Sequence, residues 1–327
     1  MSNLTLPLAN VYAPVEEDLR TAERILDDEL ASDLPFINEL CETVRSYRGK
    51  MVRPALLLLS AKAAGEVVAE HHTLAAVVEL VHVSTLVHDD VLDDADERRR
   101  RPTIRAMAGN VAAVLLGDYL ISRAFHLCNR LSDPYASRRI GAAMNRVCEG
   151  ELLQNHMRGG TQLDESAYFE IIRRKTASLI ATSSELGAYY AEAEDPAVRA
   201  LHAFGEAAGI AFQIVDDCLD LVGEASTVGK TLGRDLATGK ATLPIIHSLA
   251  QGDKTITSSL RSILAGRELP DARSLRDWLS TTGSIDYAMN LAEGYVAEAC
   301  RLLDSLPSSD AKTALTAMAE FIVHRSF

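Results

Sequence analysis

The feature that most constrains this chain is the unbroken helical periodicity of "TLAAVVELVHVSTLVHDDVLDDAD" (73–96), where apolar residues recur at three- and four-residue spacing before giving way to acid. "PALLLLSAKAAGEV", "AAVLLGDYLISRAFHLCNRL" and "ALHAFGEAAGIAFQIVDDCLDLV" carry the same broad apolar stripe on good helix formers. Alternation at period two is absent, and aromatic residues are only 5%, so strands have little to build on. Breaks fall at 48–54, 98–103, 132–137, 158–166, 223–244 and 264–271, where glycine, proline, serine and charge cluster. None resembles a flexible linker. The pattern predicts one all-α domain over 1–327.

Net charge is −13, which excludes sequence-independent nucleic-acid binding, because such binding depends on neutralising phosphates. Cys41, Cys128, Cys148, Cys218 and Cys300 are scattered and never form CxxC, as suits reduced thiols in a cytoplasmic protein. The opening "MSNLTLPLANVYAPVEEDL" has no basic segment followed by an apolar core, so no signal peptide is expected. No run is read as reaching the ~20 apolar residues that span a bilayer.

Against this acidic background, charge is concentrated in "HDDVLDDADERRRRPT" (88–103) and again in "IVDDCLDL" (214–221). On a helix, Asp89 and Asp93 share one face and Asp90 sits about 100° away; Asp216, Asp220 and Asp217 repeat the arrangement. Like charges at that spacing repel, so something must offset them. Hard divalent cations do so, and Mg²⁺ takes carboxylate oxygens while keeping waters and substrate phosphates in its shell. Two such helices facing one another would hold metal that in turn holds a diphosphate. The nearby cations supply the rim: Lys50 and Arg53 in "RGKMVRP", Arg98 and Arg99 after the first motif, Lys175 beside Thr176 in "RRKTASLI", and Lys230 and Lys240 in the polar segment 223–244.

With these landmarks in order ("GKMVRP", "HDDVLDDADERRRRPT", "GDYL", "EGELLQ", "KTASL", "FQIVDDCLD", "GKTLGRDLATGKATLP", "FIVHRSF"), the chain resembles the trans-isoprenyl diphosphate synthases over roughly residues 10–327. It looks most like the bacterial medium- and long-chain members. The resemblance implies an all-helical isoprenoid synthase-type bundle around a central substrate cavity, and a homodimer. It implies that Asp89, Asp90, Asp93, Asp216, Asp217 and Asp220 bind about three Mg²⁺. Lys50, Arg53, His82 and Arg99 then hold isopentenyl diphosphate, while Arg98, Lys175, Thr176, Gln213, Lys230 and Lys240 hold the allylic diphosphate. Lys175 joins the aspartates as a catalytic group. The chemistry is head-to-tail condensation with release of diphosphate, and no side chain is assigned as a general base.

One departure stands out: the family usually shows glycine after the paired arginines, whereas Arg100 and Arg101 follow here, and arginine resists the positive φ that glycine permits. The growing chain should pass Ser84, Thr85 and Val81, one and two turns before Asp89, and Leu120, Ala124 and Cys128 on the "GDYLISRAFHLC" helix. Short-chain members put an aromatic floor near Ser84 and Thr85. Small side chains there predict a C30–C50 product from a farnesyl or geranylgeranyl primer, suited to a quinone side chain and delivered to a membrane.

Competing readings fit less well. Head-to-head prenyl coupling enzymes read DxxxD and need no "GKMVRP". A di-iron bundle needs two Glu-x-x-His motifs, and only Glu79–His82 is present. A non-catalytic subunit of a heteromeric synthase would be expected to lose an acidic motif, and both are complete.

Overall fold

Every apolar run named above is helical in the computed structural model, which describes residues 8–46, 49–160, 164–222, 233–269 and 271–324. In chain order the helices are α1 (Leu8–Tyr12), α2 (Glu16–Glu29), α3 (Pro35–Ser46), α4 (Val52–Ala64), α5 (Ala69–Leu92), α6 (Ile104–Asn129), α7 (Tyr135–Met157) and α8 (Glu165–Ile172). After a π-helical turn at Arg173–Ala177 come α9 (Ser178–Tyr190), α10 (Asp195–Val222), α11 (Arg234–Ala237), α12 (Leu243–Gln251), α13 (Lys254–Leu264), α14 (Ala272–Thr281), α15 (Ser284–Leu302) and α16 (Asp310–Val323). The only strands among the described residues are a two-residue antiparallel pair, β1 (Glu97–Arg98) with β2 (Arg101–Pro102).

The contacts divide the chain into two compact units, each assembled from non-contiguous segments. The first comprises the described residues of Met1–Met144, Leu179–Gly205 and Leu303–Ala317. Its centre is α5, whose run from Leu74 to Val81 is wholly buried where it packs on α2, α4 and α6. The Val68 N–H donates to His71 Nδ1 at 2.8 Å to start α5, and Thr103 Oγ1 accepts from the Ala106 N–H at 3.1 Å to start α6. Arg123 of α6 pairs with Glu29 of α2 at 2.8 Å.

The second unit comprises the described residues of Asn145–Ser178, Glu206–Leu302 and Met318–Phe327. Leu221, Leu236, Ile245, Ile256, Leu260, Ile263, Leu264, Leu275 and Leu279 form its core, with Trp278 packed against it. This core joins the end of α10 to α11–α14, so the segment after the second acidic motif is anchored at its described end.

One expectation needs correcting. By length and composition α6 is apolar enough to cross a membrane. Several of its apolar residues pack inward on α5, and Arg105, Asp118 and Arg123 interrupt its surface.

Candidate active site

The first acidic motif closes α5: the Asp93 N–H donates to the Asp89 carbonyl at 2.9 Å, and Asp94 then turns the chain with φ 50°. The sequence reading treats the motif's aspartates alike, whereas the structure separates them. Asp89 and Asp93 lie half-exposed on one face, while Asp90 is buried with 2% exposure. Arg98 reaches back to Asp90, with Nε 3.0 and 3.2 Å from the two carboxylate oxygens and Nη2 3.0 Å from Oδ1. Arg98, expected on the allylic diphosphate, therefore holds the motif itself.

It does so from a hairpin that the sequence seemed to forbid. Arg98 pairs with Arg101, and the two residues between, Arg99 and Arg100, both take positive φ (52° and 62°). That is the geometry of a two-residue turn of the I′ kind, for which glycine and asparagine are the usual choices. The left-handed conformation costs an arginine roughly 1–2 kcal/mol. The Arg98–Asp90 pair, with Thr103 donating from N to Asp96 at 3.0 Å and from Oγ1 to Ala95 at 2.7 Å, clamps both ends of the loop.

The same turn aims Arg99 at the start of α4. Its guanidinium lies over Gly49, where an added Cβ would meet Nη2 at 2.7 Å, so a side chain there would push the arginine aside. Lys50 is exposed beside it, and Arg53 sits half-buried in the first turn of α4. Burial, then the charges of Arg53, Arg98 and Arg99, push the His82 imidazole well below its ordinary pKa, so His82 is neutral near pH 7. Those dependences place His82, Arg53, Arg98 and Arg99 in one neighbourhood. Burial lowers the Arg53 guanidinium too, and the charge of Glu79, itself 3% exposed, opposes that shift. Glu79 also acts on the buried Tyr12 hydroxyl. Glu79 and His82 thus belong to this cationic pocket, which leaves the di-iron reading without its one motif.

The second motif, in the other unit, repeats the division with different chemistry. Asp216 is exposed and Asp220 half-buried, while Asp217 is buried. Both Asp217 oxygens accept hydrogen bonds, from the Tyr168 hydroxyl at 2.6 Å and from Gln213 Nε2 at 2.8 Å. Burial, followed by the charge of Asp235, drives the Asp217 carboxyl well above the usual carboxylate range, and its two hydrogen bonds only partly oppose this. Gln213 in turn accepts from Thr176 at 2.8 Å. Thr176 and Lys175 lie on the π-helical turn, a feature frequent at functional sites. Lys175 Nζ donates to Gln154 at 2.9 Å and pairs with Glu151. Asp220 is tied to the segment that follows: its carbonyl accepts from Gly233 N–H at 2.7 Å and its carboxylate from Asp235 N–H at 3.2 Å. Lys240 stands 4.0 Å from Asp235, and Lys230 lies outside the described residues.

Tyr168, Glu151, Gln154 and Asp235 escaped the sequence reading, and Glu79 entered it only as half of a Glu-x-x-His motif. Glu151, Gln154 and Asp235 sat inside recognised stretches ("EGELLQ", "GRDLATGK"). Tyr168, 49 positions from its partner, carried no signal at all.

Along α5 toward its N-terminus from Asp89, Ser84 and Val81 are fully buried and Thr85 half-buried. Both hydroxyls are satisfied inside the helix, Ser84 Oγ by the Val81 carbonyl and Thr85 Oγ1 by that of His82, each at 2.7 Å. On α6, Leu120, Ala124 and Cys128 are buried too, and burial raises the Cys128 thiol to about 12. The wall is small and polar only toward its own backbone.

Among the described residues no three His, Cys, Asp or Glu side chains converge on one ion. Each motif offers instead a pair of oxygen donors on one helical face, a set that fits Mg²⁺ completing its shell with water and phosphate.

A family model described as polyprenyl synthetase matches residues 34–281. The chain belongs to the polyprenyl synthetase family. It is similar to component 2 of heptaprenyl diphosphate synthase from Geobacillus stearothermophilus, 33% identical over 98% of this chain and 100% of that one. It is also 32% identical to octaprenyl diphosphate synthase from Escherichia coli, over 94% and 96% of the two chains. The crystal structure of polyprenyl synthase from Caulobacter crescentus, complexed with calcium and isoprenyl diphosphate, superposes with a TM-score of 0.94 at 32% identity, covering all of both chains. The polyprenyl synthetase described here is accordingly a trans-prenyltransferase with the all-α isoprenoid synthase fold.

Proposed function

We propose that this polyprenyl synthetase condenses isopentenyl diphosphate head-to-tail with farnesyl or geranylgeranyl diphosphate, repeatedly, to an all-trans C30–C50 product, the whole chain acting as one catalytic domain in the cytoplasm. The observation that carries this reading is the outward pair in each motif, Asp89 with Asp93 and Asp216 with Asp220, while Asp90 and Asp217 are held inward.

Magnesium bound to the outward carboxylates supplies positive charge that stabilises departing diphosphate. Lys175, Thr176, Gln213, Lys230 and Lys240 bind the allylic diphosphate, whose C–O bond breaks with its electron pair leaving on oxygen. Lys50, Arg53 and Arg99 bind isopentenyl diphosphate beside neutral His82, which can donate a hydrogen bond without adding charge. The isopentenyl double bond attacks the allylic carbocation, and the proton then lost passes to the released diphosphate. Asp90 and Asp217 orient their helix ends.

Product length follows from the small wall at Ser84, Thr85 and Val81. Extension assays with labelled isopentenyl diphosphate and farnesyl diphosphate should give a ladder ending between C30 and C50, and Thr85→Phe should shorten it toward C20. A wild-type product ending at C20 would keep the reaction and discard the open wall. A homodimer is supported by the exposed stripe Met107, Val111, Val114 and Leu115 on α6, with Phe36 exposed on α3, which contacts α6. Sedimentation of Val111→Glu should then show monomer. A second reading is favoured by the relative named as component 2 of its synthase: purified chain that elongates nothing until a second chain is added would establish it.

A further inference from the structure

The outer face of α13 carries a feature that the condensation chemistry does not use. A concavity of about 540 Å³ is lined by Lys254, Arg261 and Arg267 together with the hydroxyl-bearing Thr257, Ser258 and Ser262. Five of these six recur on one face of α13, and the last is brought back by the turn that ends the helix. Gly266 takes φ 67°, the Gly266 N–H reaches the Ile263 carbonyl at 2.8 Å, and the Arg267 N–H returns to the Ser262 carbonyl at 3.0 Å.

Arg45, Arg98, Arg105, Arg123, Arg139 and Arg174 are each paired with an acid. Lys254, Arg261 and Arg267 are exposed and, among the described residues, make no side-chain hydrogen bond or ion pair. The lining holds one acid, Asp253, whose Oδ1 caps α13 by accepting from the Thr255 and Ile256 N–H groups at 2.8 and 2.9 Å, so cations outnumber acids three to one. Three cations without an ion pair, with the hydroxyls of Ser258 and Ser262 beside them and that of Thr257 turned to the Gly252 carbonyl at 3.3 Å, line one concavity and outnumber its one acid, an arrangement that matches the several acceptor oxygens of a phosphate group.

We propose that this concavity binds a phosphate-bearing anion, either a free phosphate or diphosphate or the headgroup of an anionic lipid. The protein has its own reporter. Trp278, its single tryptophan, packs on the core that includes Ile256, Leu260, Ile263 and Leu264 of α13.

Full-length protein without Mg²⁺ is titrated with inorganic diphosphate, and separately with phosphatidylglycerol vesicles against phosphatidylcholine controls, following Trp278 emission and calorimetric heat. Sodium chloride at matched ionic strength controls for screening. The proposal expects saturable binding that is about tenfold weaker in the Lys254→Gln/Arg261→Gln double variant, whose melting temperature and elongation rate stay those of wild type. Binding of diphosphate alone identifies a soluble anion, and binding of anionic vesicles alone identifies a lipid headgroup. Heat and emission that fail to saturate with either probe, that chloride reproduces, or that the double variant leaves undiminished overturn it.

Discussion

The two acidic motifs share one pattern and are built by opposite electrostatics. In both, the first and last aspartates lie on an accessible helical face and the middle one is buried. Asp90 is compensated by a cation, Arg98, delivered by a strained hairpin. Asp217 is held by neutral donors, Tyr168 and Gln213, with a second acid, Asp235, acting on it. A buried charge needs partners, and either a cation or a set of hydrogen bonds can serve. The cationic solution makes the first motif cohesive by itself. The neutral solution leaves the second dependent on positive charge arriving from outside, which is where a metal would contribute most.

The predictions test that contrast. The largest effect belongs to what the motifs share: Asp89→Ala and Asp216→Ala should each lower kcat on the order of 10²–10³-fold, measured as isopentenyl incorporation. Unequal losses would mean that the outward pairs do unequal work. Next comes the anchor. Arg98→Ala removes the cation paired with a buried carboxylate and should cost about 3 kcal/mol in denaturant unfolding. Tyr168→Phe removes one neutral hydrogen bond and should cost about 1 kcal/mol. Equal costs would erase the distinction between a charged and a neutral anchor.

Acid should separate the two regions as well. His82 beside the first motif has a folded pKa depressed by burial and by Arg53, Arg98 and Arg99. Its contribution to stability is therefore present above the unfolded value of about 6.5 and is lost as pH falls below it. Thermal melts should show a steeper slope in wild type than in His82→Gln, with His71, also lowered by burial, supplying the slope that remains in the variant. The smallest effect concerns the turn. Arg100→Gly relieves left-handed strain but adds freedom to the unfolded chain, for a net gain of about 0.5 kcal/mol with unchanged elongation. A loss of stability would show that the Arg100 side chain does more in the turn than tolerate it.

Much of this protein was legible because its signals are local. The apolar period of α5 depends only on residues a turn apart, as does the sharing of one face by Asp89 and Asp93. Glycine in "RGKMVRP" is legible locally too, although the Arg99 guanidinium lying over Gly49 emerged only from the folded chain. The positive φ of Arg99 and Arg100 runs against the intrinsic preference of arginine, and the Arg98–Asp90 pair across the hairpin offsets that preference. Tyr168 was invisible because nothing near it in the chain announces a partner.

The sequence by itself determined the helical class, which rests on periodicity, and carried the two aspartate motifs, which rest on short-range spacing; the family followed from the resemblance of its motifs. Which aspartates face outward was decided only by tertiary structure, as was the capture of Arg98 by Asp90 and of Tyr168 by Asp217. A buried charge is stable only beside its compensating group, and that group arrives through packing, from wherever in the chain the fold brings it.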